Sequence, residues 1–165
     1  MLFGLVPGLN LLLSLTGFTD LFASYQAVAR DQYAADLLVG LVCYGFISAF
    51  CEELLFRGIL YHYLCSFFPR KAAFVVSAVF FSVYHGNAVQ GVYAFLMGLL
   101  LAYVYEYFGR FKAPVLAHMS ANILAYLLTY GGAALPWLVS WPVCVFLLVL
   151  GVGSLYLLAR QKLVL

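Results

Sequence analysis

A chain of 165 residues that is 67% hydrophobic and 8% charged, with a mean hydropathy of +1.06, is far from a soluble domain, which is about 45–50% apolar and about 25% charged. A formal charge of +2, carried by basic residues in scattered pairs, argues against a nucleic-acid-binding surface. At about 20 residues per spanning helix, the composition predicts an all-α polytopic transmembrane bundle of about six helices, a single integral membrane domain over residues 1–165 with the lipid bilayer as its surroundings.

Residues 1–18 are apolar from the start, without a basic n-region or a small-residue cleavage site, and read as a retained helix rather than a signal peptide. Pro7, Gly8 and Asn10 weaken it, as neighbouring helices in a membrane allow. Residues 19–36, with Asp20, Arg30, Asp31 and Asp36, read as an extramembrane connection, partly helical. The apolar run from residue 37 passes without a breaker through Glu52-Glu53-Leu54-Leu55-Phe56-Arg57 to about residue 64, before Pro69. That length predicts a tilt, a kink near Gly58 or an interfacial end. Residues 72–85, 88–108, 115–130 and 137–158 are four further helices. With both termini cytoplasmic, Arg70, Lys71, Arg110, Lys112, Arg160 and Lys162 all fall inside, as basic loops do, and a bacterial inner (cytoplasmic) membrane is the expected location. Cys43, Cys51, Cys65 and Cys144 form no C-x-x-C pair and read as buried free thiols.

A charged side chain at mid-bilayer costs roughly 2.5–3.5 kcal/mol on insertion scales and is a functional candidate by default. Glu53 and Arg57, four residues apart, share a helix face and are expected to form an ion pair. Glu52 lies about 100° round the helix and is left unpaired. His85 follows Phe81 by four residues, and Asn122 follows His118 by four. One Glu, two His and an Asn on separate helices suit hydrolysis: the carboxylate takes a proton from water, one His orients that water, and the other His with the Asn amide donates to an oxyanion. The same residues can instead ligate zinc, with water in the fourth position. A carrier using Glu52, His85 and His118 as a proton relay is the competing class, although the chain shows no inverted repeat. Phe81 reads as core packing, His62 as an interfacial residue and Glu106 with Arg110 as a surface pair. Ser82 and Ser120 lack the histidine support of a serine nucleophile.

The three motifs taken in order, Glu52-Glu53 with Arg57, Phe81 with His85, and His118 with Asn122, resemble those of the CAAX-protease and bacteriocin-processing family of glutamic intramembrane proteases. The likeness covers a four-helix catalytic core over about residues 37–130. It implies an intramembrane endopeptidase that hydrolyses a peptide bond of a membrane-associated protein or peptide, in sorting or peptide maturation. Glu52 would be the general base, His85 would help to activate water, His118 and Asn122 would form the oxyanion hole, and Glu53 and Arg57 would support them. No cofactor is implied, zinc being the alternative, and a non-catalytic immunity or binding protein of the same fold is a further one. One geometric demand accompanies this set: upright helices would leave His85 and His118 roughly 12 Å apart in depth at 1.5 Å of rise per residue.

Overall fold

The computed structural model describes residues 2–162. Met1, at the start of the first predicted helix, and the side chain of Lys162 lie outside the described residues. Among these residues there are seven helices and no strand: α1 (Leu2–Leu15), α2 (Ala23–Tyr33), α3 (Leu37–Cys65), α4 (Arg70–Tyr84), α5 (Ala88–Phe108), α6 (Lys112–Gly132) and α7 (Trp141–Lys162). Six are the predicted apolar segments, and the seventh, α2, occupies the polar connection.

Local chemistry sets the boundaries. Asp36 opens α3 by accepting the Leu38 amide at 3.0 Å, and Asn87 opens α5 by accepting the Gln90 amide at 2.9 Å; both are N-cap bonds that satisfy an orphan donor. Gly86 and Gly109 take positive φ, 70° and 60°, in the turns that end α4 and α5, where a Cβ would be strained. Pro114 falls in the first turn of α6, where its missing amide proton costs nothing.

α3 is one continuous 29-residue helix. Its irregularity takes the form of two π-helical segments, Leu41–Ser48 and Leu54–Leu60, which flank the α-helical turn Ala49–Glu53. Such wide turns occur frequently at functional sites, and here they bracket the acidic pair.

By length and composition α3, α5 and α7 can cross a membrane. α1 and α4, with 14 and 15 residues, extend only about 21–23 Å against a hydrocarbon core of about 30 Å. α6 is long enough, but Ser120, Asn122 and Thr129 interrupt its apolar character. Exposed Leu38, Phe46, Phe50, Leu54 and Ile59 give α3 a lipid-compatible outer face. With the other apolar helices it makes the chain an integral membrane protein.

Inside, Phe56, Phe81, Met97, Leu101 and Ala121 are buried in one cluster with Val6 of α1. α1 packs on α7 and α6, and α4 on α5. Close approach depends on glycine: a Cβ on Gly4 would collide with the Leu147 carbonyl of α7, and one on Gly98 would sit 3.0 Å from Ala78 Cα of α4. Small residues at crossings do this generally in membranes. The thiols divide against expectation: Cys144 is buried, whereas Cys43 and Cys51 are exposed on α3, because only part of that helix faces protein.

Candidate active site

The turn Ala49–Glu53 of α3 carries two carboxylates with different surroundings. Glu53 is fully buried, and its Oε1 accepts Arg57 Nη1 at 2.8 Å, as the i,i+4 spacing predicts. The same oxygen also accepts from His118 Nδ1 at 2.8 Å. Glu53 therefore orients a histidine of α6 as well as neutralising an arginine, a role that sequence spacing did not show. Its Oε2 and Arg57 Nε are buried without a protein partner among the described residues.

Arg57 is buried to 0% exposure. Its Nη2 donates to the Gly98 carbonyl of α5 at 2.9 Å, and its guanidinium lies 4.8 Å from the centre of the Phe81 ring, a cation–π contact. The short Gly98–Ala78 approach brings that carbonyl within reach. Arg57 thus joins α3, α4 and α5 beneath the acidic pair.

Glu52 faces the other way and keeps 11% of its side chain exposed. It is not unpaired as expected: Ser48, one turn earlier, donates its hydroxyl to Oε1 at 2.5 Å. Oε2 stands 3.7 Å from His118 Nε2, too far for a direct hydrogen bond and close enough for both atoms to contact one small oxygen species. His118, 2% exposed, is held between the two glutamates.

His85 caps the end of α4, and its Nδ1–H donates to the Phe81 carbonyl at 2.8 Å. That bond sets the tautomer and leaves Nε2 as the free nitrogen. Asn122, one turn after His118, donates one amide hydrogen to the Tyr44 carbonyl at 3.1 Å, in the first π segment, and retains a second donor.

Phe81 answers much of the depth problem. Its ring packs 4.9 Å from that of His85 and 5.8 Å from that of His118, so one aromatic side chain spans the offset between the two histidines. Read from sequence as core filler, it touches Arg57 and both histidines.

Glu52, His85, His118 and Asn122 all line one cavity of about 520 Å³. Ser48 and Tyr44 of α3, Gln90 and Tyr93 of α5, Asn10 of α1 and Tyr25 of α2 are among the other residues of its wall. A larger groove of about 710 Å³ along α4 and α5, between Ser82 and Leu96, contains none of these four residues. Zinc would need three or more clustered donors; among the described residues no group of three His, Cys, Asp or Glu side chains is placed to hold a metal ion.

Other candidates fall away from this cavity. His62 is exposed; its Nδ1–H donates to the Arg57 carbonyl at 2.9 Å and its Nε2 accepts from the Tyr105 hydroxyl at 3.0 Å. Glu106 pairs with Arg70 at 3.4 Å, and not with Arg110, because Tyr61 donates to its other oxygen at 3.0 Å and draws it toward α3. Ser82 donates to the Gly91 carbonyl at 2.7 Å and Ser120 to the Leu116 carbonyl. Asn87 serves as the α5 cap and donates to the His85 carbonyl at 3.3 Å.

No curated protein matches the chain, and no solved structure does. A family model described as type II CAAX prenyl endopeptidase Rce1-like matches residues 34–124, more than half of the chain, from the connection before α3 to two residues past Asn122. The chain belongs to the type II CAAX prenyl endopeptidase Rce1-like family.

Proposed function

We propose that the chain is an intramembrane endopeptidase that uses Glu52 as the general base for water. The observation that carries this reading is the pair Glu52 Oε2 and His118 Nε2, 3.7 Å apart across a cavity wall, with Glu53 fixing the far side of the imidazole. Ser48 occupies one Glu52 oxygen, leaving the other for the proton of water.

The charges support a division of labour. Glu52 and Glu53 carry two negative charges and Arg57 one positive. His118 with a hydrogen on both ring nitrogens donates Nδ1–H to Glu53 and acts as the cationic member of this group, which matters where the local dielectric is low. It then presents Nε2–H to the cavity. Glu52 removes a proton from water, the hydroxide adds to the substrate carbonyl carbon, and the C=O electron pair moves onto oxygen. His118 Nε2–H and the second Asn122 amide hydrogen stabilise that oxyanion. Collapse expels the amide nitrogen, which takes the proton held by Glu52. His85 Nε2 lines the same cavity and orients the water. No step requires a metal.

The substrate is a protein or peptide held at the membrane, and protein sorting or peptide maturation is the setting such a site suits. The test compares membranes from cells with wild-type protein and cells with Glu52→Gln, reading protein termini by mass spectrometry. One or a few new termini that depend on Glu52 are expected. Identical termini, together with proton or solute flux that requires Glu52, would move the assignment to a carrier.

A further inference from the structure

Beside the catalytic cavity lies a second pocket of about 280 Å³, lined by residues of α1, α2, α6 and the turn between α1 and α2. The two share Asn10, Tyr25, Ala29, Tyr33 and Ala125 as walls, and the Tyr25 hydroxyl donates to Asn10 Oδ1 at 3.3 Å on that boundary. A chain bound in the first therefore has an adjoining recess for a side chain.

The charges of this recess have one sign. Among the described residues no lysine or arginine lines this second pocket, whereas Asp20 does. Asp20 Oδ1 accepts from Gln26 Nε2 at 3.1 Å and from the Thr19 hydroxyl at 3.5 Å; Oδ2 keeps its acceptor sites. No basic side chain pairs with Asp20 among the described residues. Tyr25 and Tyr33 offer rings, and rings attract a cation over their faces.

Resting on the peptidase reading, we infer that this pocket is a specificity subsite for a lysine or arginine side chain of the substrate. Its spacing from the site follows from α6. Asn122 lines the catalytic cavity, Ala125 the shared wall and Thr129 the second pocket. Seven residues of helix are about 10 Å, or roughly three residues of extended peptide. The basic residue thus sits about three positions from the bond that is cut. The same fields oppose an acidic residue or a free carboxylate there.

The probes are leucine-rich membrane peptides with one Lys, Gln or Glu moved through the six positions nearest the polar flank, in phosphatidylcholine vesicles at 0.15 M salt. Binding is measured to Glu52→Gln protein by fluorescence, so that cleavage plays no part. At the best position the Lys peptide should bind about two- to fivefold more tightly than the Glu peptide, with Gln between, as expected for an exposed carboxylate. Asp20→Lys should reverse the order, a gain that misfolding cannot produce. Equal binding of the three peptides, no binding of any, or a Lys preference that survives Asp20→Lys would overturn the subsite. Wild-type cleavage is scored on the same peptides. Glu52-dependent cleavage without charge preference defeats the subsite alone, whereas charge-selective binding without cleavage supports the subsite and defeats the peptidase reading.

Discussion

Two adjacent glutamates do opposite things because one faces protein and the other a cavity. Glu53 holds Arg57 and His118 on one oxygen, so removing Arg57 strands a buried carboxylate. Arg57→Leu should lose about 3–5 kcal/mol of stability, read by thermal or denaturant unfolding in detergent. The double substitution Glu53→Leu with Arg57→Leu should recover most of that loss and still cleave poorly, because His118 has lost its anchor. Ser48 is a positioning residue for Glu52. A hydrogen bond to a charged group contributes about 1.5–3 kcal/mol, so Ser48→Ala should lower kcat at least about tenfold with KM little changed, and Ser48→Thr should restore it. The Glu53–Arg57 pair is legible from spacing alone. Ser48 and Glu52 have the same spacing, yet an isolated serine in an apolar run gives no reason to look. The Glu53–His118 bond joins residues 65 positions apart and has no local signature, and Phe81 reads as filler because its contacts are tertiary.

At the scale of helices, the apolar runs and the polar caps carry most of the boundaries. Asp36, Asn87 and Gly109 act through backbone groups next to them in sequence, so α3 and α5 begin or end where their residues predict. The π segments of α3 have no such marker. They arise where α3 packs against α4 and α6, contacts that one chain segment does not encode by itself. Hydropathy identifies the apolar helices and length then divides them, since α1 and α4 are short helices packed against longer ones. Gly98 is the most sensitive point between α4 and α5. Gly98→Ala should cost about 1–3 kcal/mol through overpacking, because the atom it meets is Ala78 Cα, backbone that cannot swing aside. The displaced Gly98 carbonyl should also loosen Arg57, which a parallel loss of activity would register.

Across the whole molecule, residues from α3, α4 and α6 meet in one cavity, which α1, α2 and α5 enclose. The polar connection 19–36 becomes part of that enclosure, since α2 supplies Tyr25, Gln32 and Tyr33; an Asp- and Tyr-bearing stretch between apolar runs looks like a linker until the cavity exists. The donor set Glu52, His118, His85 and Asn122 predicts that exhaustive chelation leaves turnover unchanged, as measured with substrate peptide before and after dialysis against a zinc chelator. The central claim, that Glu52 activates water for peptide hydrolysis, is tested most directly by product formation in vesicles containing purified protein and a substrate peptide. Glu52→Gln should cleave about a thousandfold more slowly than wild type while unfolding at the same temperature. A folded Glu52→Gln protein that cleaves at the wild-type rate would contradict the account.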